Sequence, residues 1–205
     1  HCLQPDVAGL TPSDFPLARL SQAQLDSLPL AASQIADLYP LSAMQQGMLF
    51  HSLYEQASGD YINQVRLDVE GLDPQRFQQA WQAAVDSHDI LRTGFVWQGQ
   101  LARPLQVVHK QLEMPFSVLD WRQRTDVEQA LDALAATEQA KGFDLAQGPL
   151  LRMLVVRLDE QRCHLIYTNH HILMDGWSNS QLLGEVLQRY SGAAVPALPG
   201  RYRDY

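Results

Sequence analysis

Apolar and polar residues repeat along the chain with two different periods, which predicts a mixture of helices and strands. Helical spacing predicts helices over residues 43–55, 74–87, 125–141 and 181–190. Alternating or continuously apolar runs predict strands over residues 61–70, 91–97, 104–109, 115–119, 150–158 and 162–169. Because both kinds of element are interleaved, and the last two strands form a predicted hairpin, we expect an α/β fold (an α+β sandwich) with a mixed sheet packed by helices.

For one predicted helix and one predicted strand, the sequence shows which residues form the apolar side. The helix that follows Ser42 has its apolar positions at Met44, Met48, Leu49 and Leu53. Gly47 costs roughly 1 kcal/mol relative to Ala inside that helix, so we expect a neighbouring element to approach it closely. One face of the strand at 61–70 is formed by Tyr61, Asn63, Val65, Leu67 and Val69.

Composition narrows the classes of function. The net charge is -8 and no basic stripe is present, so we expect no nucleic-acid partner. No apolar stretch approaches the ~20 residues of a membrane span, and no signal peptide is recognisable, so we expect a cytoplasmic protein without membrane contact. Cys2 and Cys163 lie far apart, and Cys163 sits in an apolar run typical of a buried, inert thiol.

The first 34 residues are predicted to be an interdomain linker, because four prolines and one glycine interrupt residues 5–29. One short helical turn is expected at residues 21–28, with Ser21 as its N-cap and Gln24 completing a capping box. The chain begins with His rather than Met, so we expect it to be part of something longer.

Candidate chemistry concentrates at His170 and His171, which follow the strand predicted at residues 162–169. Side chains alternate along an extended segment, so one imidazole should face a cleft and the other the interior. A histidine titrates near neutral pH, which suits proton transfer from an amine, hydroxyl or thiol. Asp175 is placed to contact an imidazole or to hold the loop through an arginine. Gly176 permits either close backbone approach by a substrate or a positive φ.

Other interpretations of the histidine pair are less well supported by the residues. A histidine at a strand end is often structural, and that alternative stays open from the residues alone. Two adjacent histidines on a strand diverge, and no further ligand completes a zinc site, so we expect no metal. No Gly-x-Ser-x-Gly elbow and no glycine-rich phosphate loop are present.

Three ordered motifs carry a resemblance to a known family. Residues 170–176 match the pattern HHxxxDG, and residues 39–53 (YPLSAMQQGMLFHSL) and 87–95 (SHDILRTGF) resemble two earlier motifs. In the latter, Ser87 and Asp89 stand where Arg and Glu are usual. The motifs resemble those of condensation domains of nonribosomal peptide synthetases, which have the chloramphenicol acetyltransferase-like fold. The resemblance covers residues 35–205 and implies the N-terminal lobe of such a domain, with the C-terminal lobe absent.

The resemblance implies roles for the motif residues. His171 would position or deprotonate the acceptor's α-amine, or donate a hydrogen bond to the charge developing on the tetrahedral intermediate. His170 would orient and support it. Gly176 would let a phosphopantetheine arm approach, with its backbone N–H near the oxyanion. Asp175 would anchor the loop through an ion pair with Arg92, whose loss would mimic a catalytic defect. The candidates for lining the substrate channel are Trp177, Ser178 and Met174.

The implied function is that of an amide-forming acyltransferase. It would join a carrier-bound aminoacyl or peptidyl thioester to an aminoacyl acceptor during antibiotic or siderophore biosynthesis. The motif at 41–53 resembles the subtype that joins a D-configured donor to an L-configured acceptor. The partners would be upstream and downstream peptidyl carrier domains, an adjacent adenylation domain and the missing C-terminal lobe. The 4′-phosphopantetheine arms of the carriers would enter the condensation domain, and the domain itself would bind no cofactor directly.

Three alternatives remain: an epimerisation domain, an acyltransferase of the same fold with a coenzyme A donor, and a catalytically inactive domain that only docks carriers. We expect the isolated 205-residue chain to be inactive.

Overall fold

The computed structural model describes residues 9–54, 61–174 and 176–196. Its helices are α1 (Gln22–Asp26), α2 (Ala43–Tyr54), α3 (Pro74–Ser87), α4 (Val127–Ala140) and α5 (Gly176–Ser191). Its strands are β1 (Ile35–Pro40), β2 (Ile62–Glu70), β3 (Thr93–Val96), β4 (Leu105–His109), β5 (Phe116–Asp120), β6 (Leu151–Arg157) and β7 (Arg162–His170). Single 3-10 turns occur at Pro12–Asp14, Ala32–Gln34 and Asp89–Arg92. The predicted α/β class is confirmed.

The larger sheet has four strands in the order β2-β7-β6-β5 and holds both histidines at the end of β7. β7 pairs antiparallel with β2 and β6, whereas β5 runs parallel to β6. Alternate residues of the central strands face opposite sides. Val155, Leu165 and Tyr167 join a core with α2, α3 and α5, while Leu154, Val156 and Ile166 pack against α4. The two central strands, β6 and β7, are therefore buried on both faces, which explains their continuous apolar runs.

The smaller sheet has the order β1-β4-β3, with both pairs antiparallel. The preceding chain packs onto it. Phe15, Leu25 and Leu28 are buried in a cluster with residues of β1, β3 and β4. The predicted capping box is present, because the Ser21 side chain accepts from the Gln24 N–H and Gln24 Oε1 accepts from the Ser21 N–H. The described part of the predicted linker therefore adds apolar side chains to this smaller core.

α2 forms where expected, but not all of its apolar positions are buried. Met48 and Leu49 are buried, whereas Met44 is 70% exposed. Gln45 is buried in its place because its side chain exchanges hydrogen bonds with Gln106 of β4. A Cβ at Gly47 would meet nothing within 4 Å, so the predicted close approach is wrong. The helical period was correct, but it does not show which of the apolar positions are buried.

α3 and α4 begin and end within two residues of their predicted limits, whereas α5 begins earlier than predicted. α3 begins at Pro74, and the Asp73 side chain accepts from the N–H groups of Gln75 and Arg76. α5 begins at Gly176, five residues before the start of the predicted pattern, because its first turn carries few apolar residues. Within the described part of the chain, no helix is long and apolar enough to cross a membrane.

Candidate active site

The site lies at the end of β7, where the hydrogen-bonded pairing of the strands ends and the chain turns toward α5. The His170 N–H donates to the Leu150 carbonyl (2.9 Å), and the His171 N–H donates to the Tyr61 carbonyl (2.7 Å). Consecutive N–H groups thus reach neighbours on opposite sides of β7. This pairing holds both histidine backbones and sends the two side chains to different surroundings.

His170 is the interior member of the pair, with 4% of its surface exposed. Its Nδ1 accepts from the Ile172 N–H (3.1 Å), and its Nε2 lies 3.4 Å from Ser52 Oγ. The neutral ring therefore carries its proton on Nε2 and donates toward Ser52. Burial, and to a smaller extent His171, lowers the pKa of His170 to about 4. His170 is neutral at physiological pH and both ring nitrogens are engaged, which agrees with a supporting role.

His171 is half-buried and lies on the cleft side. Its Nδ1 is 3.3 Å from the side-chain nitrogen of Asn63 on β2. Among the described residues, no group is bonded to its Nε2. Within the described residues, this ring therefore has one nitrogen held by Asn63 and one without a protein partner.

A cleft of about 720 Å³ opens beside His171. It is bounded by residues of α2, of the Asp89–Arg92 turn, of the 171–174 loop and of α5. Of the predicted channel residues, Met174 and Ser178 both line it. Met174 also packs against the main core, so it serves the fold as well. The cleft volume falls in the usual range for small-molecule sites.

Gly176 is exposed and is the first residue of α5. Its φ is not positive, so the second sequence-based reason for a glycine here is wrong. A Cβ at this position would meet nothing within 4 Å, which leaves open space beside the backbone. Asp175 and the side chain of Trp177 lie outside the described residues.

Arg92, the predicted partner of Asp175, is 8% exposed. Its guanidinium forms an ion pair with Asp89 (2.8 Å) and donates to the carbonyls of Val85 (3.1 Å), Lys110 (3.1 Å) and His109. These bonds join α3, the Asp89–Arg92 turn and the end of β4. The pairing of Arg92 with Asp175 stays a prediction, and the described contacts already give Arg92 a structural function.

Four residues to which the sequence assigned no role also belong to this region. Ser52 contacts His170, and Asn63 contacts His171. His88 lines the cleft with Glu185, and its Nε2 is 2.7 Å from the Glu185 carboxylate. Burial alone would raise the pKa of Glu185, but hydrogen bonds from His88 and Arg189 outweigh it and lower that pKa. A polar residue on an otherwise apolar strand face was the available signal for Asn63.

The chemistry of the site is that of an imidazole beside a cleft. Among the described residues, no cluster of three or more His, Cys, Asp or Glu side chains is arranged to hold a metal ion. Cys163 is buried, and burial raises the pKa of its thiol, so the thiol is a poor nucleophile. The arrangement can accept or donate one hydrogen bond at His171 Nε2, next to space for a substrate.

Comparisons with known proteins agree with this geometry. Solved structures of low identity share the fold. The starter condensation domain of rhizomide synthetase RzmA matches with a TM-score of 0.71 at 22% identity, covering 82% of this chain and 43% of that chain. A four-domain nonribosomal peptide synthetase, holo-AB3403, matches with a TM-score of 0.69 at 20% identity, covering 85% and 14%. The mixed sheets packed by helices are those of the chloramphenicol acetyltransferase-like fold.

Sequence relatives extend the comparison to the level of family. A linear gramicidin synthase of Brevibacillus parabrevis is 42% identical over 208 residues, which cover 97% of this chain but 4% of the relative. The chain thus spans a small fraction of that multimodular synthetase. The family model described as "Condensation domain" matches residues 35–205. The chain therefore belongs to the condensation-domain family of nonribosomal peptide synthetases.

Proposed function

We propose that this chain supplies the reactive histidine of an amide-forming condensation domain, with His171 as that residue. The acceptor's amine nitrogen would bond to the carbonyl carbon of the donor thioester, and the carbon–sulfur bond would then break. The products are an amide and a free phosphopantetheine thiol, which takes up the proton lost by the amine. Carrier domains would deliver both substrates on their phosphopantetheine arms.

The observation that carries this proposal is the unequal setting of the two adjacent histidines. His170 is buried, with both ring nitrogens bonded, whereas His171 lines the cleft and no described group is bonded to its Nε2. Only His171 can reach a substrate without a rearrangement of the core. The supporting residues of the loop are His170 and Gly176, and the open space at Gly176 leaves room for an extended arm.

The finer specificity is also a proposal. The motif at 41–53 favours a D-configured donor and an L-configured acceptor, and Met44 and Met48 of this motif line the cleft. We propose that the partners are the flanking peptidyl carrier domains and the adenylation domain of the same module. Chiral analysis of the dipeptide released from D- and L-loaded donor carriers tests the stereochemistry.

The decisive experiment is His171→Ala in the complete synthetase module, measured as dipeptide formation between loaded carrier domains. Loss of one acid–base or hydrogen-bonding group at the reacting atoms should lower the rate by about 10²–10⁴-fold. His51→Ala is the matched control, because His51 is an exposed histidine of α2. Carrier binding should be unchanged in both variants.

Two results would contradict the proposal. Normal dipeptide formation by the His171→Ala module would favour a domain that only docks carriers. Inversion of the donor's α-carbon without amide formation would favour epimerisation.

A further inference from the structure

Asn63 interrupts the apolar face of β2 directly beside His171. Its neighbours on that face, Tyr61 and Val65, pack against the main core. In the β2–β7 register Asn63 lies opposite Asn169, so Tyr61 lies opposite His171 and Asn63 is its diagonal neighbour. The Asn63 side-chain nitrogen is 3.3 Å from His171 Nδ1. A polar side chain on this face thus has a specific contact with the reactive ring.

The direction of that hydrogen bond determines where the His171 proton lies. An amide NH₂ can only donate, so Nδ1 must accept. A neutral imidazole has one N–H and one bare nitrogen, and the bare nitrogen is then Nδ1. The proton of neutral His171 therefore lies on Nε2.

The same strand also fixes the ring's position. The Tyr61 carbonyl accepts from the His171 N–H at 2.7 Å, so β2 holds both the backbone and the ring. His171 lines the cleft, and no described group is bonded to Nε2. Among the described residues, the nitrogen without a protein partner is thus the protonated one.

We infer that Asn63 is a positioning residue that holds His171 in the Nε2–H tautomer, so that His171 donates a hydrogen bond to the substrate. Its target is the carbonyl oxygen of the donor thioester, which gains the electron pair of the C=O bond when the amine nitrogen bonds to carbon. The carbon–sulfur bond then breaks with its electron pair on sulfur, and the surplus amine proton passes to the thiolate. This catalytic role rests on the proposed function, whereas the tautomer does not.

The tautomer can be measured directly by NMR on the 205-residue chain labelled with ¹⁵N in its imidazoles. The chain has seven histidines, and His171→Gln identifies the resonances of His171. At a pH where the ring is neutral, protonated and bare nitrogens have well separated shifts. We expect wild-type His171 to carry its proton on Nε2. In Asn63→Asp the carboxylate can only accept, so the proton should move to Nδ1.

Matched variants separate this inference from a general structural effect. Gln75→Glu adds the same charge at an exposed position of α3 and should leave the His171 spectrum unchanged. Asn63→Leu, which cannot bond to Nδ1, should give a mixture of tautomers. The inference is overturned if wild-type His171 carries its proton on Nδ1, or if a folded Asn63→Asp chain keeps the wild-type spectrum.

Kinetics of the complete module test the catalytic consequence separately. Asn63→Leu should lower the rate of dipeptide formation by about tenfold, the effect of one lost hydrogen bond of about 1.4 kcal/mol, with carrier binding unchanged. If the proposed function fails, His171→Ala has no effect on the rate while the tautomer result stands. If only this inference fails, His171→Ala abolishes activity and Asn63→Leu matches wild type.

Discussion

His170 and His171 are neighbours in sequence but lie in two different regions of the molecule. His170 is enclosed by the core, with Ser52 and the Ile172 N–H on its two ring nitrogens. His171 faces the cleft, and its ring has one described hydrogen-bond partner, Asn63. The alternation of side chains along the strand produces this difference in position. Burial then changes the acid–base behaviour of one ring, since the pKa of His170 is lowered to about 4. Under the proposed function, the His170 ring supports the loop and the His171 ring contacts the substrate.

The largest expected difference between the two histidines lies in how each affects the unfolding free energy at acidic pH. The pKa of His170 falls from about 6.5 to about 4 in the folded chain because of burial, so between these values the unfolded chain binds the extra proton. The free energy of unfolding should therefore be highest above pH 6.5 and fall as the pH approaches 4. The loss from His170 is about 3 kcal/mol, at 1.36 kcal/mol per pKa unit.

Urea denaturation between pH 4 and 7 measures this effect. His170→Gln should flatten the pH dependence of the unfolding free energy, whereas His171→Gln, the matched control, should keep it. Burial and Arg92 also lower the pKa of His109, which adds acid sensitivity of the same sign and persists in both variants. Equal pH slopes in the two variants would show that His170 is not the buried, neutral member of the pair.

Removing the His170 partner should have a smaller effect. Ser52→Ala leaves the His170 Nε2–H without its described acceptor inside the protein. An unpaired buried donor costs about 1–3 kcal/mol, and the 3.4 Å separation places this case near the lower end. Urea denaturation at pH 7 should show a loss of about 1 to 2 kcal/mol. Ser33→Ala, at an exposed serine, should change the unfolding free energy by less than about 0.5 kcal/mol.

The sequence predicted the separation of the histidines but not its direction. Alternation along a strand requires opposite faces, and that prediction is confirmed. Which histidine is buried depends on what packs against each face, and this came only from the resemblance of residues 170–176 to a known motif. The partners were missed because Ser52 and Asn63 lie more than 100 residues before the pair. Pairing register between distant strands leaves no local signal in the sequence.

Helix caps, helix limits and turns were predicted better than the burial of individual side chains. The caps of α1 and α3, the hairpin of β6 and β7 and the limits of α3 follow from turn and capping residues, which act over a few positions. Met44 is exposed although it belongs to the apolar stripe of α2, because a helical stripe does not show where the core ends. Gln45 is buried because it pairs with Gln106, 61 residues away. Tertiary pairing thus overrides the local pattern.

The smallest expected effect concerns the strand face that carries His171. Asn169 is fully buried, and its side-chain nitrogen and oxygen have no hydrogen-bond partner among the described residues. An unpaired buried amide destabilises the folded state, so Asn169→Leu, which keeps the branched shape and removes both polar groups, should raise the unfolding free energy by about 1 kcal/mol.

Asn179→Leu is the matched control for that substitution, measured by urea denaturation at pH 7. Asn179 is 9% exposed, and its side-chain oxygen accepts from the Tyr167 hydroxyl at 3.0 Å. The same replacement at Asn179 leaves the buried Tyr167 hydroxyl without its hydrogen-bond acceptor and should lower the unfolding free energy. Effects of opposite sign would show that the His171 face of β7 retains an amide that does not stabilise the fold. A loss of stability in Asn169→Leu would instead place Asn169 among the structural residues, beside His170.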